Sequence, residues 1–131
     1  MFGFGDAQQD YNQVYNNDGQ QENKAEFSHE LVAGGASFMA MKMFIQEDRQ
    51  RKEGKPVSHQ FAKELIAGFA GGEVDRLAET KGEDEWDREK AKHEAKKRSE
   101  QLYDQHYGQD DQYDPNNRDA PSHIQDSFGG Y

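Results

Sequence analysis

Two apolar stretches of this chain are built largely from small residues, and they restrict what it can fold into more than anything else. Residues 31–45 carry Lys42 as their only charge, and residues 65–72 carry none. Within them lie Gly34, Gly35, Ala36 and Ala40, then Ala67, Gly68, Ala70, Gly71 and Gly72. Ala36 and Ala40, and Gly68 and Gly72, are four residues apart, so each pair falls on one stripe of a helix. Glycine inside a helix costs about 1 kcal/mol relative to alanine. Several such glycines need a compensating contact, and close approach of another backbone is the obvious one.

The stretches are echoed versions of one segment. Glu30-Leu-Val-Ala-Gly34 matches Glu64-Leu-Ile-Ala-Gly68, Ala36 matches Ala70, and both follow a Ser-His pair, Ser28-His29 and Ser58-His59. Four extra residues precede the second block, about one helical turn, so the block keeps a similar face. The expected arrangement is an antiparallel hairpin of two related helices.

Helix boundaries follow from capping chemistry. Ser28 and Ser58 are good N-caps, with Phe27 and Val32, and Val57 and Ala62, at hydrophobic-staple spacing. Gly54 and Pro56 stop the first helix and Gly82 the second. A third helix starts near Asp84, with acids in its first turns, lysines and Arg98 further on, and Gly108 after its end, the order that suits the helix dipole. The expected fold is all-α, with helices at about 28–53, 58–81 and 84–107 in a domain spanning 28–107. The third helix has a thin apolar face (Ala91, Ala95, Leu102), which leaves open whether it docks on its own chain or on a second.

The flanks differ. Residues 1–27 and 108–131 each carry a charge of −4, against −2 for residues 28–107, out of −10 in all. They are rich in Gln, Asn, Asp and Gly, and are expected to be acidic disordered tails, with a short docked piece around Tyr11 and Tyr15. The net negative charge argues against nucleic acid as a partner. With 0 cysteines, thiol catalysis, disulfides and thiolate metal sites are excluded. No run approaches the roughly 20 apolar residues of a membrane span, and the start of the chain lacks signal-peptide character. A cytoplasmic location is the simplest expectation.

Candidate chemistry is sparse. His29, His59, His93, His106 and His123 form no i,i+3 or i,i+4 pair, so no metal site is expected. An enzyme would need His29, Glu30, His59 and Glu64 to converge, which opposite ends of a hairpin disfavour. No cofactor is expected and no catalytic residue is assigned. The candidate site is instead a packing or interface surface: Gly34, Gly35, Ala36, Phe38, Met39, Ala40, Met43, Phe61, Leu65, Gly68, Phe69 and Gly72. The apolar residues of the first helix spread around most of its circumference, more than one neighbour covers. A homo-oligomer is therefore expected. The alternative is a lipid or other apolar small molecule held between the first two helices, where Met39, Met41 and Met43 would give an adaptable lining.

A family resemblance adds to this reading. It is carried by Phe27-Ser-His-Glu-Leu-Val-Ala-Gly-Gly-Ala-Ser-Phe38, by Arg51-Lys-Glu-Gly-Lys-Pro-Val-Ser-His59, and most strongly by the run from Phe61-Ala-Lys-Glu-Leu-Ile-Ala-Gly-Phe-Ala-Gly-Gly72 to Gly82. Asp87-Arg-Glu-Lys-Ala91 and Tyr103-Asp-Gln-His-Tyr107 complete it. Over these roughly 80 residues the chain resembles the fungal CipC-like (concanamycin-induced protein C) antibiotic-response proteins, which centre on a domain of unknown function. The resemblance implies a fungal stress or antibiotic-response protein and supplies no catalytic residues; the expectation is a non-enzymatic, self-associating helical protein. Residues 83–86 are more acidic than that family's pattern.

Overall fold

The computed structural model describes residues 2–15, 28–51, 56–81, 87–114 and 120–128. They form five helices: α1 (Phe4–Tyr15), α2 (His29–Arg51), α3 (His59–Lys81), α4 (Arg88–Tyr107) and α5 (Ser122–Phe128). The described residues contain no strand. An isolated antiparallel bridge joins Val57 and Tyr113 through reciprocal backbone hydrogen bonds of 3.0 and 2.9 Å.

The caps form as serine chemistry dictates. Ser28 Oγ accepts from the Leu31 N–H at 3.2 Å, and Ser58 Oγ from the Phe61 N–H at 3.1 Å. Phe27, Gly54, Gly82 and Asp84 lie outside the described residues. α4 begins later than expected. Asp87 has extended backbone and its carboxylate accepts from the Lys90 N–H, so Asp87 rather than Asp84 is the N-cap. A carboxylate one residue before the helix satisfies an open N–H and complements the dipole at once.

α2 is the centre of the molecule. Every residue from Val32 to Phe38 is buried, as are Ala40, Met41, Phe44 and Ile45. A helix apolar all round must be enclosed all round, and α2 packs against α1, α3 and α4. The buried serines in the core keep their hydroxyls within their own helices: Ser37 Oγ donates to the Gly34 carbonyl at 2.7 Å and Ser99 Oγ to the Lys96 carbonyl at 2.9 Å.

α4 docks on its own chain. Ala91, Ala95, Ser99, Leu102, Tyr103 and Tyr107 are buried along it, against α2 and α3. It runs antiparallel to α3, tied by Lys63–Asp104 at 2.8 Å at one end and by Asp75 to Arg88 (2.9 Å) and Lys92 (3.3 Å) at the other.

The tails are where expectation and structure part. Residues 4–15 and 122–128 are helical rather than disordered, and Tyr113 is buried. Phe4, Ala7, Tyr11 and Val14 recur at spacings of three and four, a helical stripe diluted by the polar residues between them. Twelve such residues hold no helix alone; tertiary contact supplies the stability.

Candidate interaction site

The expected interface residues divide into two surfaces. On α2, Gly34, Gly35, Ala36, Phe38 and Ala40 are buried, while Met39 and Met43 are partly exposed. On α3, Phe61 is 46 % exposed, Leu65 and Phe69 are half-buried, and Gly68 and Gly72 are exposed.

The α2 surface is occupied by α1. A methyl group at Gly34 would overlap the Asp10 carboxylate, and one at Gly35 would lie 3.3 Å from the Asp10 carbonyl oxygen. Tyr11 lies against Phe38 (ring centroids 5.3 Å apart), with Phe128 of α5 closing the cluster at 5.3 Å from Tyr11 and 5.9 Å from Phe38. The glycines are there because another helix needs the space.

The α3 surface is open. Among the described residues, a methyl group at Gly68 or Gly72 would meet nothing within 4 Å. At 100° per residue, Phe61, Leu65, Gly68 and Gly72 form one stripe along three turns, with Phe69 beside it. The echo makes the contrast informative. Moving 34 residues along the chain carries Leu31, Gly34, Gly35, Phe38 and Lys42 onto Leu65, Gly68, Phe69, Gly72 and Arg76. The α2 face that α1 covers is thus the counterpart of the α3 face left open. Glycine and phenylalanine exchange places between the two, so both faces present an aromatic ridge beside a glycine groove.

One end of the α3 stripe is fixed by a buried carboxylate. Glu73 is 6 % exposed and accepts from the Tyr15 hydroxyl at 2.6 Å and from two Arg76 nitrogens at 3.3 Å. Burial, reinforced by the adjacent Glu73 charge, pushes the Tyr15 phenol well above its ordinary range. The bond therefore stays a phenol donating to a carboxylate, and it anchors the end of α1 to α3.

The residues an acid–base site would need do not converge. His29 Nε2 lies 3.9 Å from Glu30 Oε2 and lines a hollow with Glu89, Lys90, His93 and Glu94 at the start of α4. His59 is held elsewhere. Its Nε2 is 2.6 Å from the Asp110 carbonyl, which can only accept, so Nε2 carries a proton; Nδ1 lies 2.6 Å from the Tyr103 hydroxyl. Ten residues of α4 separate His93 from Tyr103, about 15 Å of helix. Glu64 is exposed and accepts from Gln60 at 3.3 Å. His59, Tyr103, Tyr107, Tyr113 and Phe44 instead make a packed aromatic cluster, with neighbouring centroids 4.8–6.5 Å apart. Among the described residues, no group of three or more His, Asp or Glu is placed to hold a metal ion. Met41, central to the apolar-ligand reading, is fully buried in the core. A shallow cavity of about 580 Å³ lies between the start of α1, the end of α4 and the start of α5, lined by Phe4, His106, Pro121 and His123.

Sequence reasoning expected a short docked piece around Tyr11 and Tyr15, which the structure bears out as part of α1, and passed over Asp10 and Phe128. The spacing of Phe4, Ala7, Tyr11 and Val14 was the available signal for three of their neighbours and for Tyr11 itself; nothing local marks Asp10.

Fold and surface together define a small all-helical packing domain with one covered and one open glycine-bearing face. The chain belongs to the CipC-like virulence factor family, whose sequence profile matches residues 10–106. The match runs from the second half of α1 to the end of α4 and leaves α5 outside. Neither a curated protein nor a solved structure matches the chain. No helix among the described residues is long and apolar enough to cross a membrane.

Proposed function

We propose that this protein is a non-enzymatic member of its family that works by self-association, with the open face of α3 docking on the same face of a second copy. The observation that carries this is the pair of glycines at Gly68 and Gly72 with nothing above them among the described residues. They weaken the helix and serve no contact among the described residues, whereas the equivalent α2 face is used to seat a helix.

The stripe is self-complementary. A two-fold axis between residues 66 and 67 of antiparallel α3 helices sets Phe61 of one copy over Gly72 of the other, and Leu65 over Gly68. Two-fold symmetry repeats each contact, as closed dimers require, and antiparallel dipoles add a favourable contribution. Arg76 and Glu79 supply a polar rim. The resemblance to antibiotic-response proteins supports placing this assembly in a stress or antibiotic response, and the separation of His29, His59 and Glu64 among the described residues favours a structural role.

The register gives a test. The chain has 0 cysteines, so single-cysteine variants report cleanly. An oxidised equimolar mixture of Leu65→Cys and Gly68→Cys chains should cross-link faster between the two variants than either does with itself. Equal or slower cross-linking in the mixture contradicts the antiparallel pairing.

A further inference from the structure

α1 and α5 clasp each other as well as α2. Gln8 Nε2 donates to Ser127 Oγ at 2.9 Å and to the His123 carbonyl at 3.4 Å, Phe4 stacks on His123, and Tyr11 meets Phe128 edge-on. Beneath them Asp10 sits half-buried, its carboxylate pressed on Gly34. Among the described residues no donor makes a hydrogen bond to that carboxylate. A charge taken from water without a donor is costly.

We propose that α1 and α5 form a proton-gated clasp over the glycine face of α2, seated when Asp10 is protonated and loosened when it is ionised. The geometry is one-sided. From α2 the carboxylate is faced by the uncharged Gly34 methylene. From α4 it is faced by Arg98, whose guanidinium is directed at the Glu30 carbonyl (3.1 Å) and stacks over Phe2 (4.7 Å to the ring centroid). From α1 itself it is faced by Asp6. Burial raises Asp10 from 3.8 to about 6, Arg98 opposes this, and Asp6 adds to it. His106 and His123 flank Phe4 at the far end of the clasp.

Linkage fixes the direction. The docked value lies above the undocked one, so docking is strongest below pH 3.8. It weakens as pH rises from 3.8 to about 6 and is level above that. A tenfold difference in proton affinity between the docked and undocked carboxyl changes the docking equilibrium tenfold, and partial exposure holds the whole effect to about tenfold. Because α1 is too short to stay helical alone, undocking and unfolding of α1 are one event.

Hydrogen exchange on the full chain tests this, with protection of the α1 amides corrected for intrinsic rate between pH 4.5 and 7.5. Wild-type α1 should lose about fivefold protection as pH rises from 4.5, the part of the tenfold effect that falls in this range, with α2, α3 and α4 unchanged. Asp10→Asn, which keeps the shape and removes the charge, should hold its protection level across the range and exceed wild type about tenfold at pH 7.5. Asp10→Asn leaves every histidine in place, so a difference in pH slope between the two proteins belongs to Asp10. Gly34→Ala should unseat α1 at every pH while α3 and α4 stay protected. Equal pH slopes in wild type and Asp10→Asn overturn the proposal. So does α1 protection that changes only in step with the rest of the molecule, or full α1 protection in Gly34→Ala.

Discussion

Three glycines with similar sequence surroundings do different work. Gly34 is required because Asp10 occupies the space its side chain would fill. Gly68 and Gly72 meet open space among the described residues, so alanine at either costs no contact with them and removes the helix penalty of about 1 kcal/mol. At dilution that keeps the chain monomeric, Gly68→Ala and Gly72→Ala should each raise the thermal midpoint by a few degrees, while weakening any assembly built on close approach. A stabilised monomer that also assembles more tightly would contradict the role assigned to these positions. Tyr15→Phe removes the hydroxyl that donates to buried Glu73 at 2.6 Å. It should cost about 1–2 kcal/mol in denaturant unfolding, because Arg76 alone then satisfies the carboxylate. The glycine content was legible in the sequence. Which glycine lies under a helix and which lies open was not, because periodicity gives the face of a residue and says nothing of what covers it.

Elements were legible in proportion to their own chemistry. α2, α3 and α4 follow from serine caps, apolar stripes and a charge gradient, although α4 takes Asp87 as its cap. α1 and α5 escaped because their apolar residues are few and set among Gln, Asn and Asp, and their helicity comes from α2. Tyr11 is the residue most engaged in that docking, with ring contacts to Tyr15, Phe38 and Phe128. Tyr11→Ala should therefore lower stability by about 2–3 kcal/mol and increase binding of a dye that reports exposed apolar surface. Acid acts on two carboxylates in opposite senses. Hydrogen bonds from Arg88, and then Lys92, hold Asp75 below its ordinary range. The tie between α3 and α4 is therefore present above pH 3.8 and lost as pH falls through its lowered value, whereas the seat of α1 tightens over the interval in which Asp10 gains its proton.

At the scale of the molecule, the expectation of an oligomer began from an α2 too apolar for one neighbour. The chain meets that demand itself, with α1, α3, α4 and α5. The unmet demand moves to α3, where Phe61, Leu65 and Phe69 border a groove left open among the described residues, whose counterpart on α2 is filled by α1. The CipC-like match covers residues 10–106 and so includes α3 and its face but not α5. Light scattering coupled to gel filtration, carried down to micromolar concentration, tests the central claim most directly. Self-docking through α3 predicts a species of twice the 15.0 kDa chain mass for the wild type, and a monomer with unchanged helical content for Gly68→Leu. A wild-type chain that runs as a 15.0 kDa monomer at every concentration, or a Gly68→Leu chain that keeps the doubled mass, would contradict it.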